Sequence, residues 1–219
     1  MAPEVSARSA SRAAYVAAAF NLIGAATMLF LLEPGLPVDW QGQLDGGSLL
    51  AGRQAWVASH RAMWWTGWIT WHAAAISLLG LYVALAGLWR VHAPILCPLA
   101  LLVAAAGLAA DLGAETIYMG VLPGLGREAF ATAEVTGSLF TGYLGNGLYT
   151  VAGAMLTIAG SRELPRSLQA HAWLVWGLGV WLSAAALSQS SRGMFLSTAA
   201  LMPTFVLWTV LLGRWLARR

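Results

Sequence analysis

Apolar residues along this chain gather into six long runs, with short polar interruptions between them. The runs cover 14–32, 63–88, 95–119, 135–158, 173–187 and 194–212. A helix needs roughly 20 such residues to cross about 30 Å of hydrocarbon. The pattern predicts an all-α polytopic membrane protein, one domain over 1–219 built as a bundle of six transmembrane helices. Pro34, Pro37, Pro94, Pro123 and Pro165 fall at or just outside the ends of runs, where helices start or stop. Pro98 and Pro203 fall inside runs and are expected to kink them. The longest connection, 33–61, carries the turn formers Asp39, Asp45, Gly46 and Gly47 and reads as a solvated loop placed to cap one mouth of the bundle. Arg8 and Arg12 precede the first run, as in a signal peptide. The run is too long for that, and no small-residue cleavage site follows it.

Composition supports the membrane reading. Of 219 residues 59% are hydrophobic and only 10% charged, with mean hydropathy +0.69, whereas soluble domains carry about 25% charged residues. Arginine placement then predicts an orientation. With the N-terminus inside, Arg8, Arg12, Arg90, Arg162, Arg166, Arg214, Arg218 and Arg219 lie on the cytoplasmic side, and only Arg53, Arg61, Arg127 and Arg192 outside. Both termini are thus expected in the cytoplasm, with residues 1–12 as a short tail and the inner (plasma) membrane as the location. Trp40, Trp56, Trp64 and Trp65 near one interface, and Trp89, Trp173 and Trp215 near the other, fit an aromatic belt. The net charge of +3 does not indicate nucleic acid, because the arginines are spread over short loops. All 12 basic residues are arginine, so a lysine Schiff base of the retinal or pyridoxal kind is excluded. Cys97, the sole cysteine, forms no internal disulfide and belongs to no CxxC site.

The candidate chemistry centres on Asp111 and Glu115 in the third run. A carboxylate at the centre of a membrane helix costs about 2.5–3.5 kcal/mol on insertion scales, so such residues usually mark a site, a pathway or a buried pair. The two are four residues apart, hence on one helix face and separated by about 6 Å of rise. In apolar surroundings they repel one another when both are ionised. A proton relay, a cation ligand or an acid/base pair are the functional readings. The structural ones are an ion pair of Glu115 with Arg53, Arg61 or Arg127, and a hydrogen bond from Asp111 to a neighbouring helix. His72 lies at a depth similar to Asp111 and can pair with it across two helices. His60 is twelve residues earlier, about 18 Å along the helix, so the two histidines cannot share a metal. A bis-histidine haem lacks a partner for His72 at matched depth. A three-ligand zinc site could be assembled only from His60, Asp111 and Glu115. No metal and no cofactor is assigned.

The fourth run is glycine-rich around Tyr143, Asn146 and Tyr149, and Asn146 is a candidate partner for His72 or Asp111. Ala105, Ala109 and Gly113 form a small-residue stripe expected to pack on a neighbouring helix. Gly67 and Trp71 in the second run resemble Gly177 and Trp181 in the fifth, and Asn21 in the first run matches Asn146 in the fourth. A three-plus-three inverted repeat of this kind is a transporter signature, although runs three and six show no matching pattern. The leading functional reading is a small-solute or proton-coupled transporter with a polar site between helices near Asp111. Alternatives are a membrane-embedded enzyme acting on a lipid or isoprenoid by acid/base chemistry, and a non-catalytic accessory subunit. The expected partners are the lipid bilayer, a small solute or lipid-like substrate, and a second copy or a partner membrane subunit.

Overall fold

The computed structural model describes residues 6–32 and 48–219. The expectations placed on Pro34, Pro37, Asp39, Trp40, Asp45, Gly46 and Gly47 lie outside the described residues. Among the described residues eight α-helices follow in chain order: α1 (Ala7–Thr27), α2 (Ser48–Ser59), α3 (Arg61–Trp89), α4 (Leu96–Thr116), α5 (Arg127–Ser138), α6 (Asn146–Ala159), α7 (Arg166–Leu187) and α8 (Ser191–Ala217). π-helical turns extend α1 (Met28–Leu32) and α4 (Ile117–Val121) and join α5 to α6 (Leu139–Gly145).

Five helical stretches among the described residues are long and apolar enough to cross a membrane: Ala7–Leu32, Arg61–Trp89, Leu96–Gly124, Arg166–Leu187 and Ser191–Ala217. The fourth expected run is helical but is not one of them. Gly142, Gly145, Asn146 and Gly147 lower its hydropathy, and the π turn divides it into α5 and the 14-residue α6. The expected loop 33–61 also differs, because 48–59 of it is α2. Pro98 introduces no kink. α4 begins at Leu96, which puts the proline in the first turn, where its missing N–H has no helical acceptor to lose.

The helices pack as a ring in which α1 contacts α3, α3 contacts α4, α4 contacts α6, α6 contacts α7, α7 contacts α8, and α8 returns to α1. Small residues make the closest approaches possible. The buried face of α1 is Ala10, Ala14, Ala17, Asn21 and Gly24, and Ser11 Oγ on it donates to the Gly213 carbonyl of α8 at 2.8 Å. That bond puts both termini at one end of the ring, and Glu163 pairs there with Arg219. At this termini end the interior is solid, filled by Leu81, Leu85, Trp89, Leu156, Trp208, Leu212 and Leu216. A second, smaller cluster fills part of the opposite end, where Leu32, Val57, Trp64, Trp68, Tyr118, Leu122 and Phe130 meet. α2 lies over that end. Its Val57 and Arg53, four apart on one face, both point into the protein and are buried.

Candidate functional site

Between the solid termini end and α2 the ring encloses a cavity of about 570 Å³. Its wall is mainly aromatic and aliphatic. α3 contributes Trp64, Trp68, Trp71 and Tyr82, α4 Asp111 and Tyr118, and α7 Trp176, while α1 and α8 add Met28, Leu29, Met194, Phe195 and Met202. Leu29 on α1, and Ala199 and Pro203 on α8, line the cavity and are also exposed, so it reaches the bundle surface between these two helices. Pro203 has no N–H, which leaves the Ala199 carbonyl one turn earlier without its helical donor.

Asp111 is 5% exposed and sits in the cavity wall. A glycine contact places it. Gly107 on α4 faces the π turn so closely that a Cβ there would meet the Gly145 carbonyl oxygen at 3.1 Å and Leu148 Cβ at 3.1 Å. This approach brings Thr141, in the same π turn, to α4, and Thr141 Oγ1 donates to Asp111 Oδ1. Tyr149 lies beside Asp111 as well, but its buried hydroxyl completes no hydrogen bond among the described residues. Thr141 and Asn146 both line the cavity five residues apart, a spacing that one face of a π-helix allows and a regular α-helix does not. Asn146 Nδ2 reaches α7, donating to the Gly179 carbonyl at 2.7 Å and Ser183 Oγ at 2.9 Å. Asn21 also lines the cavity, with its amide donated to the Ala17 carbonyl at 2.9 Å.

A second polar group lies under α2. Arg53 Nε donates to Glu134 Oε2 at 2.6 Å and Nη2 to Oε1 at 2.9 Å, a bidentate pair between α2 and α5. The guanidinium carbon lies 5.1 Å from the Trp64 ring centre, close enough for a cation–π contact. Trp64 and Tyr118 pack edge to face, Trp68 stacks on Tyr118 with centroids 4.4 Å apart, and Trp64 Nε1 donates to the Tyr118 carbonyl at 2.7 Å. Arg53, Glu134 and this ladder of rings form the α2-side wall of the cavity.

The remaining candidates lie elsewhere. Glu115 is fully buried, and His72 Nδ1 rests against its Oε2. Neither lines the cavity. His72 thus meets Glu115 and not Asp111, and Glu115 meets a histidine and not an arginine. Arg53 is held by Glu134, and Arg61 donates to the Pro123 carbonyl at 3.3 Å. Close as they are, neither Glu115 oxygen nor His72 Nδ1 completes a hydrogen bond among the described residues. His60 is exposed at the α2–α3 corner, stacked on Trp56 at 4.8 Å, far from the proposed zinc companions. Among the described residues no three His, Cys, Asp or Glu side chains cluster closely enough to hold a metal ion. Tyr143 is 42% exposed and turned away from the cavity, because the π turn changes the register before Asn146. The stripe Ala105, Ala109, Gly113 faces outward, and a Cβ on Gly113 would meet nothing within 4 Å. The packed face of α4 is instead Ala100, Ala104, Gly107, Asp111 and Ala114. Trp71 lines the cavity while Trp181, its counterpart in the suspected repeat, is 44% exposed.

Thr141 and Glu134 are not among the sequence candidates, Arg53 is one only as a partner for Glu115, and the tryptophans of α3 read from sequence as interface and repeat positions and not as a cavity wall. The last carried a usable signal: Trp64, Trp68, Trp71 and Ala75 recur at helical spacing along one face. No protein-family model, no curated protein and no solved structure matches the chain.

Proposed function

We propose that this protein is a multi-pass membrane transporter for a small, largely apolar solute, bound in the cavity beside Asp111. One observation carries the reading: a carboxylate 5% exposed in the wall of a cavity of about 570 Å³. That volume lies within the range of small-molecule sites, which are mostly apolar with a few placed polar groups. The apolar body of the solute rests on Trp68, Trp71 and Trp176, and Asp111 and Asn146 orient its polar end. The solid packing of the termini end supports a site closed on one side, as alternating access requires of each of its states. The gap beside Leu29 and Ala199 supports entry from the bilayer. Pro203 and the π turns bordering the cavity supply the irregular backbone at which helices can bend. The full proposal is six spans, with 127–159 as one of them, and both termini on the cytoplasmic face of the inner membrane. An enzyme acting on a lipid-like substrate shares the binding step and separates from this reading by turnover. An accessory subunit has no use for the cavity.

The test uses three matched probes with one apolar body: trimethyl(4-phenylbutyl)ammonium, 4-phenylbutanol and 4-phenylbutanesulfonate. The purified protein in nanodiscs is expected to bind at least one of them saturably, and Ala199→Trp, which fills the gap, to abolish that binding. Proteoliposomes are expected to show protein-dependent exchange of the bound probe if it is one of the two charged ones. Binding of none of the three above empty nanodiscs overturns the proposal.

A further inference from the structure

We propose that the solute of this cavity is an organic cation: an ammonium head held by Asp111, carried on an apolar body packed against the tryptophan wall. The inference rests on the transporter reading and names its substrate class.

The first argument is charge balance. One arginine and two acidic residues line the cavity among the described residues: Arg53, Glu134 and Asp111. Arg53 and Glu134 hold each other through two hydrogen bonds at 2.6 and 2.9 Å. Among the described residues Asp111 meets neutral hydroxyls: that of Thr141 donates to it, and that of Tyr149 lies beside it. The cavity thus keeps one acidic group with no cation of the protein paired to it. An anionic solute would bring a second negative charge to that group in an apolar enclosure, where like charges repel most strongly. A cationic solute supplies the missing partner.

The second argument is the wall. Indole and phenol rings attract cations through the negative potential over their faces, and quaternary ammonium groups are recognised by such rings. The protein already uses this arrangement once within the same cavity: the Arg53 guanidinium lies between the Glu134 carboxylate and the Trp64 ring, 5.1 Å from its centre. Asp111 repeats the pattern one step deeper. It lies within electrostatic reach of Tyr118, as Arg53 does, and Tyr118 stacks on Trp68 in the wall of the same cavity. The third argument is Pro203, which lines the cavity and has no N–H, so that the carbonyl of Ala199, another lining residue, is an acceptor without its helical donor.

The three probes separate this inference from the reading beneath it. Equilibrium binding to the wild-type protein in nanodiscs, with empty nanodiscs subtracted, is expected to rank trimethyl(4-phenylbutyl)ammonium at least about tenfold tighter than 4-phenylbutanol, the scale of a desolvated cation–π contact. The sulfonate is expected to be weakest. Asp111→Asn is expected to remove the preference for the cation over 4-phenylbutanol. Asp111→Glu is expected to retain the preference for the cation. The wild-type ranking needs no variant, so a misfolded substitution does not disable the test. Equal binding of the alcohol and the cation, or preference for the sulfonate, overturns the cation assignment and leaves the solute cavity standing. A cation preference that survives Asp111→Asn overturns the role given to Asp111. Binding of no probe overturns both.

Discussion

The close approach of α4 to the π turn is what puts Thr141 on Asp111, and one methyl group tests it. Gly107→Ala adds a Cβ 3.1 Å from the Gly145 carbonyl oxygen, 3.1 Å from Leu148 Cβ and 3.3 Å from Tyr149 Cδ1. The first neighbour is backbone and cannot swing aside. Overpacking of this kind costs about 1–3 kcal/mol. Against it stands the gain of replacing glycine by alanine inside a helix, about 0.5–1 kcal/mol. The net expectation is a loss of up to about 2.5 kcal/mol, from the same two ranges. Gly113→Ala on the same helix has the same propensity gain and meets nothing within 4 Å. It is expected to stabilise by about 0.5–1 kcal/mol. The difference between the two isolates the helix contact from the intrinsic preference. Chemical unfolding in mixed micelles measures both, and probe binding adds a second readout. Gly107→Ala is expected to weaken binding because the π turn carrying Thr141 is pushed off Asp111. Equal stability changes in the two variants, or a more stable Gly107→Ala, would refute the packing argument.

Glu134→Ala leaves the buried Arg53 without its carboxylate and is expected to destabilise by about 3–5 kcal/mol, with Glu134→Gln losing less; an unchanged unfolding midpoint for Glu134→Ala contradicts the pairing. His72→Leu removes the polar group that rests against the fully buried Glu115 and is expected to destabilise, by less than Glu134→Ala does. Adding Glu115→Leu should restore most of the stability, and probe binding should not change in the double variant, because neither residue lines the cavity. For the topology, Gly124→Cys and Arg162→Cys on a Cys97→Ser background are expected to label from opposite faces of the membrane; labelling of both from one face contradicts the six-span arrangement.

The apolar runs were legible because hydropathy alone marks a long buried or lipid-facing helix, and α1, α3, α4, α7 and α8 follow from them to within several residues at most ends. α2 was not legible. Gly52 and Arg53 make it read as a loop, and its inward face depends on Glu134, 81 residues away. Asp111 was visible from the cost of placing a carboxylate among apolar residues, but its partner was not. Thr141 reaches it only because a π turn shifts the register, and the same shift turns Tyr143 outward. Depth counting put His72 level with Asp111 and said nothing about direction around the helix. Trp68, Trp71 and Ala75 face the cavity, so His72, one residue and about 100° beyond Trp71, faces Glu115 instead.

The central claim is that a small solute occupies the cavity beside Asp111, and photo-crosslinking tests it most directly. A trimethylammonium probe bearing a diazirine on its phenylbutyl body is irradiated with the wild-type protein in nanodiscs, and the labelled residues are mapped by mass spectrometry. The account predicts saturable labelling of Trp68, Trp71, Thr198 or Met202 in the cavity wall, chased by excess unreactive probe. Labelling confined to the outward-facing Ile69, Val83 and Leu102, undiminished by the competitor, would contradict it.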